Sequence, residues 1–331
     1  MNSPIRTVVI GVGHLGYHHA RIHASTEGVH LVGVVDTDAE KRARAEQDFG
    51  VRGFDSVEAL LAEGIDAASV VTPTVAHHDV AMRLLDAGIH VLVEKPIATT
   101  VNEANAMAAK AHAAGRILQV GHIERFNGAV MALFDAIKAP RFIECHRLSP
   151  YPMRSSDISV VHDLMIHDLD IVLALDRSGV VSIDAVGVPV FSAQEDIANV
   201  RLRFASGCVA NLTASRVSLE KMRKIRIFEA NAYVSTDYSA QEVVVYRKKP
   251  GTPPPDANPM EQIEIEPLEV QKEEPLRAEI THFIDCVRAG STPAVSAEDG
   301  IRALDLAEQI TAFIRSCLLY TSPSPRDQRG S

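Results

Sequence analysis

The sequence has no tryptophan, few aromatic residues (5%) and only four cysteines among 331 residues. The cysteines, at positions 145, 208, 286 and 317, are far apart and form no CxxC pair, so neither a disulfide framework nor a zinc cluster is expected. No apolar run reaches the roughly 18 residues of a membrane helix, and the run at residues 7–10 is too short for a signal peptide. These absences predict a protein of a reducing cytoplasm, with no metal site and no membrane span.

Positive charge is also in short supply. The chain has 33 Lys and Arg against 43 Asp and Glu, a formal net charge of −10. A surface of this sign argues against bulk nucleic-acid binding, so any anionic ligand needs a local site. The 46% hydrophobic and 23% charged residues are typical of a globular protein, and the length predicts two domains.

The first third of the chain alternates β-branched runs with helical patterns. Candidate strands lie at residues 7–10, 31–35, 68–71, 91–93 and 117–120, and helical spacing is clear at 80–85 and 101–114. This alternation is typical of βαβ units. We therefore predict an α/β Rossmann domain, a doubly wound parallel sheet, over residues 1–123.

The pattern changes in the remainder. A helix at 159–176 precedes strand-like runs at 182–190, 198–204, 208–215, 224–229, 232–237 and 242–247. Strands joined by short turns indicate an open, mainly antiparallel sheet, and we predict an α+β domain over residues 124–316. Residues 250–267 are rich in proline and are interpreted as an irregular surface excursion, and helices at 275–288 and 297–314 close the domain.

The last residues do not continue these patterns. Residues 317–327 resemble the in-frame translation of a sequencing adapter, and two Ser-Pro steps break the helical period of the segment before them. We expect residues 317–331 not to be native. A disordered Ser/Pro tail is the alternative.

A glycine motif follows the first predicted strand. Gly11, Gly13 and Gly16 form a GxGxxG pattern that opens a helical stretch, as a turn around a dinucleotide pyrophosphate requires. Asp36 ends the next strand, where an acid should accept hydrogen bonds from the adenosine ribose. Thr37 and Asp38 follow instead of an arginine, which favours NAD over NADP.

Two further elements place polar groups where chemistry is possible. Lys95 ends a predicted parallel strand, at the edge where doubly wound sheets bind ligands, although a lysine there is often only solvated. Asp163, His167 and Asp170 are spaced to share one face of the helix at 159–176. This stripe is compatible with catalysis, with structural capping and core hydrogen bonding, or with an Asp/His metal pair.

Other groups are weaker candidates. The basic residues from Arg216 to Arg226 could receive a substrate diphosphate, although a solvated strand and loop, or the rim of an interface, is the favoured interpretation. The histidines at 14 and 18, and at 19 and 23, have helical metal-ligand spacing, but His14 lies in the glycine turn, which argues for a solvated or cofactor-adjacent ring. Arg154 and Ser156 precede the helix at 159–176 and could hold a hydroxyl-rich substrate.

The motifs occur together in a fixed order: the glycine motif with Asp36, Thr72-Pro73 with His77, Glu94-Lys95-Pro96, and Asp163-x-x-x-His167. In this the chain resembles the Gfo/Idh/MocA family of nicotinamide-dependent oxidoreductases. Within that family, residues 120–127 and 207–216 resemble most the members that oxidise C3 of UDP-N-acetylglucosamine, some of which serve lipopolysaccharide (lipid A) precursor synthesis. His162 stands where an apolar residue is expected, a departure that leaves the Asp163 and His167 pair intact.

The resemblance implies roles for particular residues. It implies that Lys95 and His167 are catalytic, with Asp163 beside them, and that the C-terminal sheet packs against a partner subunit in a homodimer or homotetramer. The implied cofactor contacts are Gly11, Gly13, His14, Leu15, Gly16, Asp36, Thr72, Pro73, His77 and Glu94. The implied substrate contacts are Lys95, Arg125, Arg154, Asp163 and His167.

These observations predict an NAD-dependent dehydrogenase that oxidises a secondary hydroxyl of a nucleotide sugar, at C3 of UDP-N-acetylglucosamine. A neutral histidine suits removal of the hydroxyl proton, with Asp163 orienting His167 and the Lys95 cation stabilising the alkoxide. Which of Lys95 and His167 takes the proton first stays open. Two alternatives are a dehydrogenase of a free sugar or cyclitol and a non-catalytic NAD-binding sensor.

Overall fold

The computed structural model describes residues 3–151, 158–251 and 258–320. In chain order its first part forms β1 (Ile5–Ile10), α1 (His14–Ser25), β2 (Val29–Val35), α2 (Ala39–Phe49), β3 (Arg52–Phe54), α3 (Val57–Leu61), β4 (Ala67–Val70), α4 (His77–Asp86), β5 (His90–Glu94), α5 (Val101–Ala114) and β6 (Leu118–Gly121). The strands form one parallel sheet in the order β3-β2-β1-β4-β5-β6, which confirms the predicted doubly wound architecture.

Both faces of this parallel sheet are buried. Val8 and Ile10 of β1 belong to one core cluster, which includes residues of α4 and α5, whereas Val9 between them belongs to a cluster with residues of α1 and α2. Strands covered on both sides need apolar residues at successive positions, and this explains the runs in the sequence. The carboxyl ends of the strands are left at one edge of the sheet.

The second part forms α6 (Gly128–Ala136), β7 (Phe142–Leu148), a π-helical turn (Val161–Met165), α7 (Ile166–Leu175), β8 (Val180–Val188), β9 (Ile197–Phe204), β10 (Val209–Ser215), β11 (Met222–Phe228), β12 (Ala232–Asp237), β13 (Glu242–Lys248), β14 (Ile263–Pro267), α8 (Pro275–Ala289) and α9 (Ala297–Tyr320). An eight-stranded sheet has the order β14-β13-β12-β11-β7-β10-β9-β8. Its pairs are antiparallel except β7 with β10, so the prediction of a mainly antiparallel sheet is confirmed.

Three elements of this part differ from the sequence prediction. The helix α6 and the central strand β7 were not predicted, and β14 lies inside the segment interpreted as irregular. In β7 the buried positions alternate, but one of them is occupied by the charged Arg147. Only Ile143 and Cys145 are left as an apolar pattern, which is too short to predict a strand. The strand β14 pairs with β13 at the sheet edge. Ile263 and Ile265 alternate with glutamates, but the strand is short, mostly exposed and follows a proline-rich segment, which is why it was interpreted as irregular.

The contacts divide the chain into two compact units, Met1–Phe126 with Glu273–Leu304, and Asn127–Lys272 with Asp305–Ser331. We call them the first and the second unit. The division differs from the predicted contiguous domains because α8 joins the first unit, where Ile280 and Phe283 cluster with Ile22 and Leu92. Helical spacing shows that a helix has an apolar face but not which surface it covers.

The last helix continues beyond the predicted end at residue 314, to Tyr320. Residues 321–331 lie outside the described part, and the adapter origin of the tail stays a prediction. Among the residues that the structure describes, no helix combines the length and apolarity that crossing a membrane would require.

Candidate active site

The glycine motif forms a tight turn between β1 and α1. Gly11 has a φ of +85°, and a Cβ at this position would lie 2.7 Å from the carbonyl oxygen of Val71. A Cβ on Gly16 would lie 1.7 Å from the carbonyl oxygen of Gly11, so only glycine permits this packing. A Cβ on Gly13, the N-cap of α1, would meet no atom within 4 Å. Open space therefore borders the helix N-terminus, where backbone N–H groups can bind an anion.

Asp36 follows β2, and its carboxylate accepts a hydrogen bond that holds the glycine turn. Its Oδ2 accepts a hydrogen bond from the Val12 N–H at 2.9 Å, and its Oδ1 accepts one from the Asp38 N–H at 2.9 Å. Each carboxylate oxygen keeps a further lone pair for a ribose hydroxyl. Asp38 itself caps α2, and Arg42 donates to the carbonyl oxygen of Asp36 at 2.6 Å. The Arg42 guanidinium is therefore a cation near the proposed ribose position. The sequence analysis considered only the residues directly after Asp36 and so did not include it.

The segment after β4 carries Thr72, Pro73 and His77. His77 is buried, with Nε2 2.9 Å from the Thr72 carbonyl oxygen and Nδ1 2.9 Å from the Pro96 carbonyl oxygen. Burial lowers the pKa of the His77 ring, and its contacts join the segments that follow β4 and β5. The hydroxyl of Thr72 is buried without a hydrogen-bond partner among the described residues. A hydrogen-bond acceptor or donor on a bound ligand would supply the partner that this hydroxyl lacks.

Glu94 and Lys95 end β5. The carboxylate of Glu94 lies 3.1 Å from Nε2 of the buried His19 and accepts a bond from the Lys95 N–H at 3.2 Å. It also fills the space beside Gly121, where a Cβ would come within 2.8 Å of it. Glu94 is therefore held from three sides, and it fixes the backbone at Lys95. Lys95 is half-buried at the carboxyl edge of the sheet, as predicted.

Two residues after β6 lie near this edge. His122 is fully buried, and burial together with the Lys95 and Arg125 charges lowers its pKa to about 3, so the ring is neutral. Arg125 is half-buried and donates to the Ala294 carbonyl oxygen at 2.9 Å. His122 was not predicted as part of the site, although it lies inside the stretch 120–127 that carried the family resemblance.

In the second unit, Asp163 and His167 lie on one helical segment. The segment begins with the π-helical turn, in which the Ile166 N–H donates to the carbonyl oxygen of Val161, and it continues as α7. Asp163 and His167 are partly exposed, whereas Asp170, predicted on the same face, is buried. The sequence predicted the helix but not its π turn, since a 3.6-residue period does not distinguish the two.

A buried ion pair holds α7 against β7. Arg147 donates to Asp168 through Nε at 3.0 Å and Nη2 at 2.8 Å, and the two side chains are 3% and 4% exposed. The ring of Tyr238 lies 5.6 Å from the guanidinium carbon. Sequence analysis missed this pair because the partners are far apart in the chain and only the fold brings them together.

The basic side chains from Lys221 to Arg226 are exposed or half-buried, as the solvated interpretation expects, whereas Arg216 fits neither interpretation offered for the segment. Arg216 is fully buried and donates to Asp196 at 2.7 Å, to the Ser192 hydroxyl at 2.9 Å and to the Ile158 carbonyl oxygen at 2.6 Å. A side chain so enclosed neither binds a substrate diphosphate nor lies in solvent. Arg226 and Lys224 pair with Glu144 and Asp237 on the other face of the sheet.

The predicted residues thus fall into two groups. The first unit brings together the glycine turn, Asp36 and the residues at the ends of β4 and β5, and the second unit holds Asp163 and His167 four residues apart. Arg154 and Ser156 lie outside the described residues. His14 and Leu15 are exposed at the start of α1.

Comparison with known proteins identifies this arrangement. Residues 5–122 match the family described as oxidoreductase family, NAD-binding Rossmann fold, and residues 137–234 match the GFO/IDH/MocA C-terminal domain. The chain belongs to the Gfo/Idh/MocA family of oxidoreductases. The predicted family, fold class and enzyme class are therefore confirmed.

Several Gfo/Idh/MocA relatives align over nearly the whole chain. A UDP-N-acetylglucosamine 3-dehydrogenase from Acidithiobacillus ferrooxidans is 39% identical and covers 95% of this chain and 98% of its own. A solved structure of that enzyme matches with a TM-score of 0.88 at 38% identity over 95% of this chain and 98% of that one. A scyllo-inositol 2-dehydrogenase (NAD(+)) from Bacillus subtilis is 27% identical over 96% of both chains.

Proposed function

We propose that this oxidoreductase oxidises a secondary hydroxyl of a nucleotide sugar, at C3 of UDP-N-acetylglucosamine, with NAD as the hydride acceptor. The observation that carries the proposal is the 39% identity, over 95% of this chain and 98% of the relative, to an enzyme of that activity. The 27% identity to a cyclitol dehydrogenase supports the alternative of a free sugar or cyclitol less strongly.

The first unit fits a dinucleotide. The open space above Gly13 suits the pyrophosphate, Asp36 suits the ribose hydroxyls, and the buried Thr72 hydroxyl lacks a partner that a ligand could supply. Bound NAD supplies the carbon that receives the hydride. We infer that NAD is preferred over NADP, because the Asp36 carboxylate would repel a 2′-phosphate.

The proton and the developing charge are handled by the chain itself. His167 accepts the hydroxyl proton, and Asp163, one helical turn before it, orients the imidazole and stabilises its protonated form. Lys95, fixed at the end of β5 through Glu94, places a cation at the oxygen on which negative charge develops. Arg125 is proposed as a substrate contact, as is Arg154, which lies outside the described residues.

The decisive experiment follows NADH absorbance while the protein is incubated with NAD and a panel of nucleotide sugars, free sugars and cyclitols. Turnover of UDP-N-acetylglucosamine in preference to the free sugars is the expected result. Turnover of free polyols alone would establish the alternative substrate class. Binding of NAD without turnover of any alcohol would establish a non-catalytic sensor.

We also propose a homodimer or homotetramer that works in the cytoplasm. The eight-stranded sheet has one face of buried residues, whereas alternate residues on the other face are partly exposed. Cys145, Cys208 and Cys286 are free and buried, as suits a reducing compartment.

A further inference from the structure

Two buried arginine–aspartate pairs hold the segment that carries Asp163 and His167, and the reaction as proposed uses neither. Arg147 and Asp168 form the first pair, and Asp168 immediately follows His167 in the chain. A bidentate contact between a planar guanidinium and a carboxylate fixes direction as well as distance. This pair therefore fixes the rotation of α7 relative to β7.

The second pair, Arg216 and Asp196, lies at the other end of the segment. Arg216 donates to the Ile158 carbonyl oxygen at 2.6 Å, and the Val160 N–H donates to the carbonyl oxygen of Glu195 at 2.9 Å. Asp196 accepts hydrogen bonds from the N–H groups of residues 190–192. The start of the helical segment is therefore hydrogen-bonded to the turn at residues 190–196. The backbone N–H groups of this turn are themselves held by the Asp196 carboxylate.

The charge state of this second pair is stable. Burial by itself would raise the pKa of Asp196, but the backbone donors and the Arg216 guanidinium outweigh it and hold that pKa below its usual range. Asp196 therefore stays a carboxylate at neutral pH.

The π-helical turn lies between these two anchors. A π turn contains one residue more than an α turn, and it is rare in proteins except as single turns near functional sites. If the turn relaxed to α-helix, the residues before it would rotate by about 100° relative to those after it, since each α-helical residue turns by that angle. Asp163 lies within the turn and His167 follows it, so their relation depends on the turn.

We infer that Arg147–Asp168 and Arg216–Asp196 are positioning pairs, which maintain the π turn Val161–Met165 and through it the placement of Asp163 beside His167. The inference rests on the proposed function for its effect on turnover. Its effect on the backbone of the segment does not depend on any substrate.

The test replaces the first pair with apolar residues of similar size, Arg147→Met together with Asp168→Leu. Exchange of a whole buried ion pair for apolar side chains is often neutral or stabilising, so the fold should be retained. Positioning predicts that kcat falls roughly 10- to 100-fold while the KM for NAD is unchanged, as a small misplacement of reacting groups would cause. Amide hydrogen exchange in residues 160–167 should become at least about tenfold faster.

A matched control uses the pair Glu144 and Arg226. Glu144 is on the same strand as Arg147 but on the opposite, open face of the sheet. Glu144→Gln together with Arg226→Gln should leave exchange in residues 160–167 unchanged.

The outcomes separate the two proposals. If the wild-type protein turns over a nucleotide sugar and the folded double variant does so within about twofold, or if exchange in residues 160–167 is unaltered, the positioning role is wrong and the function stands. If the wild-type protein turns over nothing, faster exchange in the double variant still supports the anchors. Should that variant not fold, Arg147→Lys and Arg216→Lys, which keep the charge without the planar fork, decide by the same measurements.

Discussion

At the scale of single residues, Lys95 and His167 are placed by different means. Lys95 is held by its backbone, because the Glu94 carboxylate accepts its N–H and is enclosed by His19 and Gly121. His167 is held by its helix, which the Asp168 carboxylate joins to β7. Loss of either side chain should therefore remove a chemical group without moving the elements around it.

Lys95→Met and His167→Asn should each lower kcat by roughly 10²-fold or more, since each removes a positioned cation or proton acceptor. Asp163→Asn should cost less, because it only orients His167. Combined variants should be less than multiplicative, as residues on one proton path fail together. Steady-state kinetics and NAD titration would measure these effects.

The dissociation constant for NAD should be unchanged in these variants, since the glycine turn and Asp36 are the groups proposed to bind the dinucleotide. Lys110→Met is the control, because Lys110 pairs with Asp86 on the surface. Near-normal turnover of folded Lys95→Met would remove Lys95 from the mechanism.

Asp36→Ala should narrow the difference between NAD and NADP affinity. The change removes the carboxylate that would repel a 2′-phosphate and leaves the Arg42 guanidinium nearby. It should also weaken NAD binding itself, because the Val12 N–H loses its acceptor. Calorimetric titration of both cofactors measures the two effects, with the exposed Asp55→Ala as the control. Equal affinities of the wild-type protein for NAD and NADP would contradict this prediction.

At the scale of elements, α1 combines an N-terminus that is proposed to face the cofactor with a buried C-terminal half. His23 lies fully buried, with Nε2 2.9 Å from the Ser69 hydroxyl. Burial, with a smaller contribution from His19, lowers the pKa of His23 to about 3. The sequence showed His19 and His23 only as a spaced pair, and the structure makes both of them parts of the helix–sheet contact.

Stability should therefore fall on acidification. The unfolded chain takes up a proton on His23 below a pH of about 6.5, whereas the native ring does so only near pH 3, so stability is lost as pH falls between these values. His23→Gln, which can still bond Ser69, should reduce the slope by about 1.4 kcal/mol per pH unit. Urea unfolding at several pH values measures this, and the exposed His30→Gln should not change the slope. A variant with the wild-type slope would refute the prediction.

Elements whose apolar residues recur regularly along the sequence were predictable, whereas elements that mix buried charged residues or exposed apolar residues were not. The strands of the parallel sheet are apolar at successive positions, and the glycine turn has a spacing that few other structures require. By contrast, β7 has a buried arginine, β14 is an exposed edge, and the π turn has no sequence period of its own. The Arg147 and Arg216 pairs could not be predicted, because their partners lie 21 and 20 residues away and meet only in the folded sheet.

At the scale of the whole molecule, the open face of the eight-stranded sheet carries an aromatic row. Phe142, Phe228, Tyr233 and Tyr246 are paired in register on four neighbouring strands, with ring centroids 5.7, 4.7 and 5.1 Å apart. An apolar row on a partly exposed sheet face is suited to burial against another copy of the chain.

Tyr233→Glu should therefore shift the protein towards smaller species, because a carboxylate would lose its hydration in such a contact. Light scattering at micromolar concentration measures the mass. Ala113→Glu, at an exposed position of α5, is the control and should leave the mass unchanged. A wild-type monomer would contradict the expected dimer or tetramer.

The return of residues 273–304 to the first unit has a consequence for synthesis on the ribosome. The nucleotide-binding sheet is made first, but α8, which covers Ile22 and Leu92, is translated only after the whole eight-stranded sheet. The first unit is therefore still incomplete when the eight-stranded sheet has been made, and its uncovered surface must be tolerated by the nascent chain or shielded by chaperones. A chain released at residue 272 should expose Ile22 and Leu92 of the first unit, and it also lacks the part of α9 that belongs to the second unit.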